Sequence, residues 1–222
     1  MRNVVCLISG RGSNLESLLR AERAERWDQR FGARIAAVIS NRPRVRGLEI
    51  AGAAGVDTAT VDERSFEERG RFEVDLAAAI EAHEPALVVL AGFMRVLGAG
   101  FVARFGGRLI NIHPSLLPAF PGLHTHRRAL EQGTRVHGAT VHFVSPDVDA
   151  GPIIAQAVVR VLPGDTETAL AARVLAAEHR LLPRCAGWIL DGRVALRDGR
   201  AVVDGIEPDQ LLAIDSLAPE AR

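Results

Sequence analysis

Short apolar runs alternate along this chain with longer stretches in which apolar positions recur every three or four residues. Asn3 to Ile8 and Leu87 to Ala91 are nearly continuous, the pattern of strands covered by helices on both faces. Arg34 to Ser40, Thr58 to Val61 and Leu109 to Ile112 are further predicted strands. Helical spacing fills the gaps. It runs through Leu15, Leu18 and Leu19, then from Gly47 to Ala54, then from Phe66 to His83, where Phe72, Leu76, Ala79 and Ile80 share one face. This alternation predicts an α/β fold, doubly wound around a mostly parallel central sheet, with ligands at the carboxyl ends of the strands.

After Pro152 the texture changes. Ile153 to Val161 is strand-like, Thr166 to Trp188 is one long helical pattern, and Arg197-Asp198-Gly199 is a hairpin signal within Gly192 to Val203. These elements predict an antiparallel carboxyl-terminal portion of the sheet. With no linker-like composition between them, residues 1–205 are expected to form one domain. Residues 206–222, with Pro208 and Pro219 and few aromatics, are expected to be a partly disordered tail.

Composition narrows the chemistry. The 27 basic residues balance 27 acidic ones, so no global field draws the chain to nucleic acid or an anionic membrane. Every basic residue is arginine, and there is no tyrosine. Without lysine the chain can form neither a Schiff base nor the lysine contact of a nucleotide-binding P-loop. Proton transfer must come from other groups. The apolar run at the start is broken by Ser9 and Gly10 and is too short for a signal peptide or a membrane span, so the expected location is the cytoplasm. Cys6 and Cys185 are expected to be plain core thiols.

Three segments carry candidate chemistry. Gly10-Arg11-Gly12-Ser13-Asn14 joins the first strand to its helix, where backbone N–H groups and the helix dipole favour a phosphate; a capped turn is the alternative. The third glycine of a dinucleotide fingerprint is missing, so a single phosphate fits better. Asn111-Ile112-His113-Pro114 ends a strand, and alternation puts Asn111 and His113 on one side. An amide that can hold an oxyanion and an imidazole that can carry a proton therefore come together. Val148-Asp149-Ala150-Gly151-Pro152 is a turn whose acid could charge that imidazole, although by spacing alone Asp147 is equally eligible. His124, His126, His137 and His142 follow no recognised ligand spacing, so no metal is expected. Ser115 stands near His113 without a Gly-x-Ser-x-Gly elbow, which argues against a serine hydrolase.

Taken in order, Ile8-Ser9-Gly10-x-Gly12-Ser13-Asn14-Leu15, Leu90-Ala91-Gly92-Phe93-Met94-Arg95, Asn111-Ile112-His113-Pro114-Ser115-Leu116-Leu117-Pro118, Pro121-Gly122-Leu123-His124-Thr125-His126 and Val141-His142-Phe143-Val144 before Asp149-x-Gly151-Pro152 resemble the phosphoribosylglycinamide formyltransferases, a folate-dependent family with a formyltransferase-like variant of the Rossmann fold. The likeness runs from Val4 to about Trp188. It implies 10-formyltetrahydrofolate as co-substrate, the amine of 5'-phosphoribosylglycinamide as acceptor, and no metal. It implies Asn111, His113 and Asp149 as catalytic residues. Gly12, Ser13, Asn14 and Glu178 would hold the substrate's phosphate and ribose. Met94, Arg95, Val96, Leu97, Asn111, Ser145, Val148 and Asp149 would line the folate cleft, with Arg69 near the folate tail unless it merely decorates a solvated helix face. The implied partners are small molecules, with neither nucleic acid nor membrane, in a monomer or homodimer.

Two departures stand out. Ala150 occupies a position often held by glycine, and Ala119-Phe120 lies in a loop, expected to be mobile, where a lysine and an aromatic are common. The related formyltetrahydrofolate deformylases use the same polar trio on water but lack the Gly-x-Gly-Ser-Asn turn, which makes hydrolysis the second reading. A non-catalytic nucleotide-binding module is a third, and it leaves Asn111, His113 and Asp149 unexplained.

Overall fold

The computed structural model describes residues 1–214. Its first half consists of β1 (Arg2–Ile8), α1 (Ser13–Ala24), α2 (Trp27–Arg30), β2 (Ala33–Ser40), α3 (Arg46–Ala53), β3 (Asp57–Thr60), a 3₁₀ turn (Glu63–Ser65), α4 (Arg69–Glu81), β4 (Pro85–Leu90), α5 (Ala99–Arg104) and β5 (Leu109–His113). The second half adds α6 (Thr125–Glu131), β6 (Val136–Phe143), β7 (Ile153–Arg160), α7 (Glu167–Leu190), β8 (Val194–Arg197), β9 (Arg200–Val203), α8 (Pro208–Leu211) and β10 (Leu212–Ile214). Among these residues, no helix is long and apolar enough to cross a membrane.

Eight strands form one sheet in the order β10-β7-β6-β5-β4-β1-β2-β3. Strands β3, β2, β1, β4 and β5 run parallel, whereas β6 is antiparallel to both β5 and β7. The mostly parallel doubly wound sheet with an antiparallel carboxyl-terminal portion is thus present. Strand alternation sorts the core into two layers. Val4, Cys6 and Ile8 of β1 join Leu87 and Val89 of β4 beneath α1 and α7. Val5 and Leu7 join Val88 and Leu90 against α4 and α5. Burial on both faces explains why these strands show no polar alternation.

Helix α7 is capped by Thr166, whose hydroxyl accepts the Ala169 N–H at 3.2 Å. Its Leu170, Val174, Ala177, Leu181 and Cys185 follow helical spacing into the core. The short helices α2, α5, α6 and α8 span about one turn to two turns, too few for apolar periodicity to mark them. Asp198 and Gly199 have positive φ, 49° and 71°, as a tight β8–β9 hairpin requires. Of the tail marked out by sequence, residues 208–214 form α8 and β10, which pairs in parallel with β7. Residues 215–222 lie outside the described residues.

Candidate active site

A crevice lies at the carboxyl ends of β4 and β5, where a doubly wound sheet places its ligands. Asn111 and His113 share the face of β5 that Leu109 occupies, and the register sets Asn111 directly opposite His142 of β6. The His142 Nδ1–H donates to the Phe143 carbonyl at 2.9 Å, leaving Nε2 to accept from Asn111 Nδ2 at 3.2 Å. Burial holds the His142 pKa below the ordinary imidazole value, in keeping with this acceptor role. An amide has two N–H groups, so Asn111 keeps one for a ligand.

His113 is buried, at 6% exposure, with an acceptor at each ring nitrogen. Its Nε2–H donates to the Phe120 carbonyl at 2.9 Å, and Nδ1 lies 3.3 Å from Asp149 Oδ2. A neutral imidazole can donate to only one of them, whereas the imidazolium satisfies both. Asp149 stands on the β6–β7 turn with φ 53°. Its Oδ2 also accepts the Gly122 N–H at 2.8 Å, tying this turn to the loop after β5. Gly151 explains how the turn comes so close: an added Cβ would lie 1.8 Å from the Phe143 carbonyl oxygen. Asp147 borders the same crevice but pairs with no histidine among the described residues.

The loop expected to be mobile is anchored. Thr140 Oγ1 donates to the Ser115 carbonyl and accepts the Leu117 N–H. Ser115 Oγ donates to the Ala119 carbonyl at 2.6 Å, so it is not aimed at His113 as a nucleophile would be. Phe120 packs edge-on to His137, 5.7 Å between centroids, and His137 in turn meets His126 at 5.2 Å.

His137 is buried, and its burial, with His126 and His113 nearby, depresses its pKa to about 4. The unfolded chain binds a proton below about pH 6.5, whereas the folded one resists it until about pH 4. The stability held above pH 6.5 should therefore be lost as pH falls toward 4, by at most about 3 kcal/mol. Denaturant midpoints measured from pH 7 to 4 should fall less steeply in His137→Leu than in the parent.

The crevice encloses about 510 Å³. Met94 to Leu97, Ser145, Val148, Asp149, Asn111 and His113 all line it. All eight residues expected to line a folate cleft therefore border one cavity. Among the described residues, the peptide groups of Arg95, Val96 and Leu97 make no hydrogen bond. Met94, Val96, Leu123 and Val148 are more than half exposed around the mouth, an apolar rim that suits a flat ring. Arg69 does not border the cavity; its Nε donates to Glu73 at 2.7 Å on an exposed helix face.

The glycine turn forms a separate cluster at the end of β1. Gly12 caps α1 with φ 79° and no side-chain cap, so Ser13 and Asn14 occupy the first helical positions rather than the N-cap. A Cβ on Gly12 would lie 2.6 Å from Gly47 Cα, so the turn is packed backbone to backbone. Asn14 Nδ2 donates to Glu178 Oε2 at 2.7 Å, bringing together residues 164 positions apart. Burial raises the Glu178 pKa, and the bond from Asn14 offsets part of that. Sequence reasoning missed His142 as a member of this site. Its strand was visible, but its place opposite Asn111 depends on register.

A family model described as formyl transferase matches residues 2–186. The phosphoribosylglycinamide formyltransferase of Escherichia coli (strain K12) is 45% identical, over 91% of this chain and 94% of that protein. The crystal structure of glycinamide ribonucleotide transformylase 1 from Symbiobacterium toebii superposes with a TM-score of 0.86 at 44% identity, covering 92% of this chain and 94% of that one. A formyltetrahydrofolate deformylase from Pseudomonas putida KT2440 is more distant, at 32% identity and a TM-score of 0.79 over 91% of this chain and 70% of that one. By the extent of the family match and the closeness of these relatives, this chain belongs to the formyl transferase family.

Proposed function

We propose that this chain transfers the formyl group of 10-formyltetrahydrofolate to the amine of 5'-phosphoribosylglycinamide, yielding formylglycinamide ribonucleotide and tetrahydrofolate, a step of purine biosynthesis. The observation that carries this reading is the meeting of Asn111, His113 and Asp149 at one cavity whose lining includes peptide groups that make no hydrogen bond among the described residues. The folate supplies an activated formyl group. Arg95, Val96 and Leu97 would hold its pterin through their peptide groups, and Arg69 would face its anionic tail. Gly12, Ser13 and Asn14 would hold the phosphate at the amino end of α1, with Glu178 beside the ribose.

As the amine attacks the formyl carbon, negative charge develops on the formyl oxygen. The free N–H of Asn111 and the Nε2–H of His113 are its donors. A charged oxygen is a stronger acceptor than the neutral Phe120 carbonyl that holds Nε2–H in this structure. Asp149, 3.3 Å from Nδ1, orients the His113 imidazole and passes the proton lost by the amine toward the departing nitrogen. The reaction therefore needs neither lysine nor tyrosine. We place it in the cytoplasm, on small molecules, in a monomer or homodimer.

Supplying 10-formyltetrahydrofolate with and without the ribonucleotide tests the assignment. Tetrahydrofolate release should require the amine. Release at the same rate without it would mean a hydrolase.

A further inference from the structure

The segment joining β4 to α5 has no regular structure where it lines the cavity, yet buried or partly buried side chains from other parts of the fold hold it. Ser9, at the end of β1, accepts the Met94 N–H on Oγ at 2.8 Å and donates to Asn41 Oδ1 at 2.6 Å. Asn41, just past β2, donates through Nδ2 to Glu63 Oε2 at 3.0 Å. The same Glu63 oxygen accepts Arg95 Nη1 at 2.9 Å, and the Arg95 guanidinium lies over the Phe72 ring, 5.0 Å from its centroid. At the far end of the segment, Glu73 Oε1 accepts the Gly98 N–H at 2.8 Å.

Ser9 and Asn41 are 4% and 0% exposed, so each must find partners inside the protein. They find them in a chain that ends on Met94 and Arg95. Between those anchors and Gly98, the peptide groups of Arg95, Val96 and Leu97 make no hydrogen bond among the described residues. Free peptide groups select a ligand only if their backbone is already in place when it arrives, because ordering a loop on binding costs affinity. We infer that Ser9, Asn41 and Glu63 are positioning residues for the folate: their hydrogen-bond chain fixes the 94–97 backbone in the geometry that receives the pterin. This rests on the folate reading of the cavity. The chain also starts one residue before the glycine turn, so a single strand end supports both substrate clusters.

Glu63 is only partly buried, which makes it the variant to use. In Glu63→Ala, hydrogen exchange of the amides in 92–98 should quicken about tenfold. Tetrahydrofolate should bind about tenfold more weakly, and the KM for 10-formyltetrahydrofolate should rise to match, while kcat and the KM for the ribonucleotide move less than threefold. Glu63→Gln, which retains an oxygen for Asn41 and Arg95, should recover most of the loss. Unchanged exchange in 92–98, unchanged tetrahydrofolate affinity beside a parent that binds it, or an equal rise in both KM values would overturn the inference alone. A parent that binds no tetrahydrofolate would overturn the folate reading and this inference with it.

Discussion

Replacing His113 by alanine should lower kcat for formyl transfer by about a thousandfold while the ribonucleotide still binds within about twofold of the parent. The loss combines an oxyanion donor with the proton carrier, effects worth about 10²–10³ and 10²–10⁴ respectively, and such effects overlap when one side chain provides both. Binding survives because the phosphate cluster around Gly12, Asn14 and Glu178 shares no hydrogen bond with His113. The variant also leaves the Phe120 carbonyl and Asp149 short of a partner, so folding stability should fall by about 1–3 kcal/mol. Tetrahydrofolate release, ribonucleotide calorimetry and a denaturant melt separate these effects. Unchanged turnover in a folded variant would remove His113 from the mechanism.

The second large effect should come from a methyl group. In Gly151→Ala the new carbon would lie 1.8 Å from the Phe143 carbonyl oxygen and 3.1 Å from the Ser145 nitrogen, both backbone atoms that cannot rotate away. The β6–β7 turn must move, and Asp149 moves with it. A shift on the order of 1 Å in a catalytic group can cost about a hundredfold, so kcat should drop by that order, with about 1–3 kcal/mol of stability from overpacking. Ala150→Gly is the contrast. Ala150 is exposed, so restoring the glycine often found there should change kcat less than twofold. Equal losses in both variants would mean that the turn's flexibility, rather than its packing, places Asp149.

How much of this site could be read in advance depends on how local each signal is. Asn111 and His113 lie two residues apart on a strand, so period-two alternation alone unites them. Asp149 and Asp147 also lie two apart, but on a turn, where alternation does not apply and the choice rests on the φ of 53° at Asp149 and on Gly151. The Asn14–Glu178 pair joins α1 to α7 across 164 residues, and no short-range pattern could reveal it. Arg69 is the reverse case. Its partner Glu73 is four residues on, at a helical spacing that can be read in the sequence. The parallel sheet was readable because unalternating runs require two covered faces; short α5 and α6 were not, because one or two turns carry no period.

Cys6 sits in β1, an inner strand of the sheet, and Cys185 on the core face of α7, both with no exposed surface and with burial pushing their thiols up. Neither can meet an alkylating reagent through fraying of a loop or terminus: β1 must leave its covering layers, or α7 must lift from the sheet. The chain therefore carries two natural reporters of global opening, one in a strand and one in a helix. The rate at which each is trapped under native conditions would show whether the two halves of the molecule come apart together or in turn.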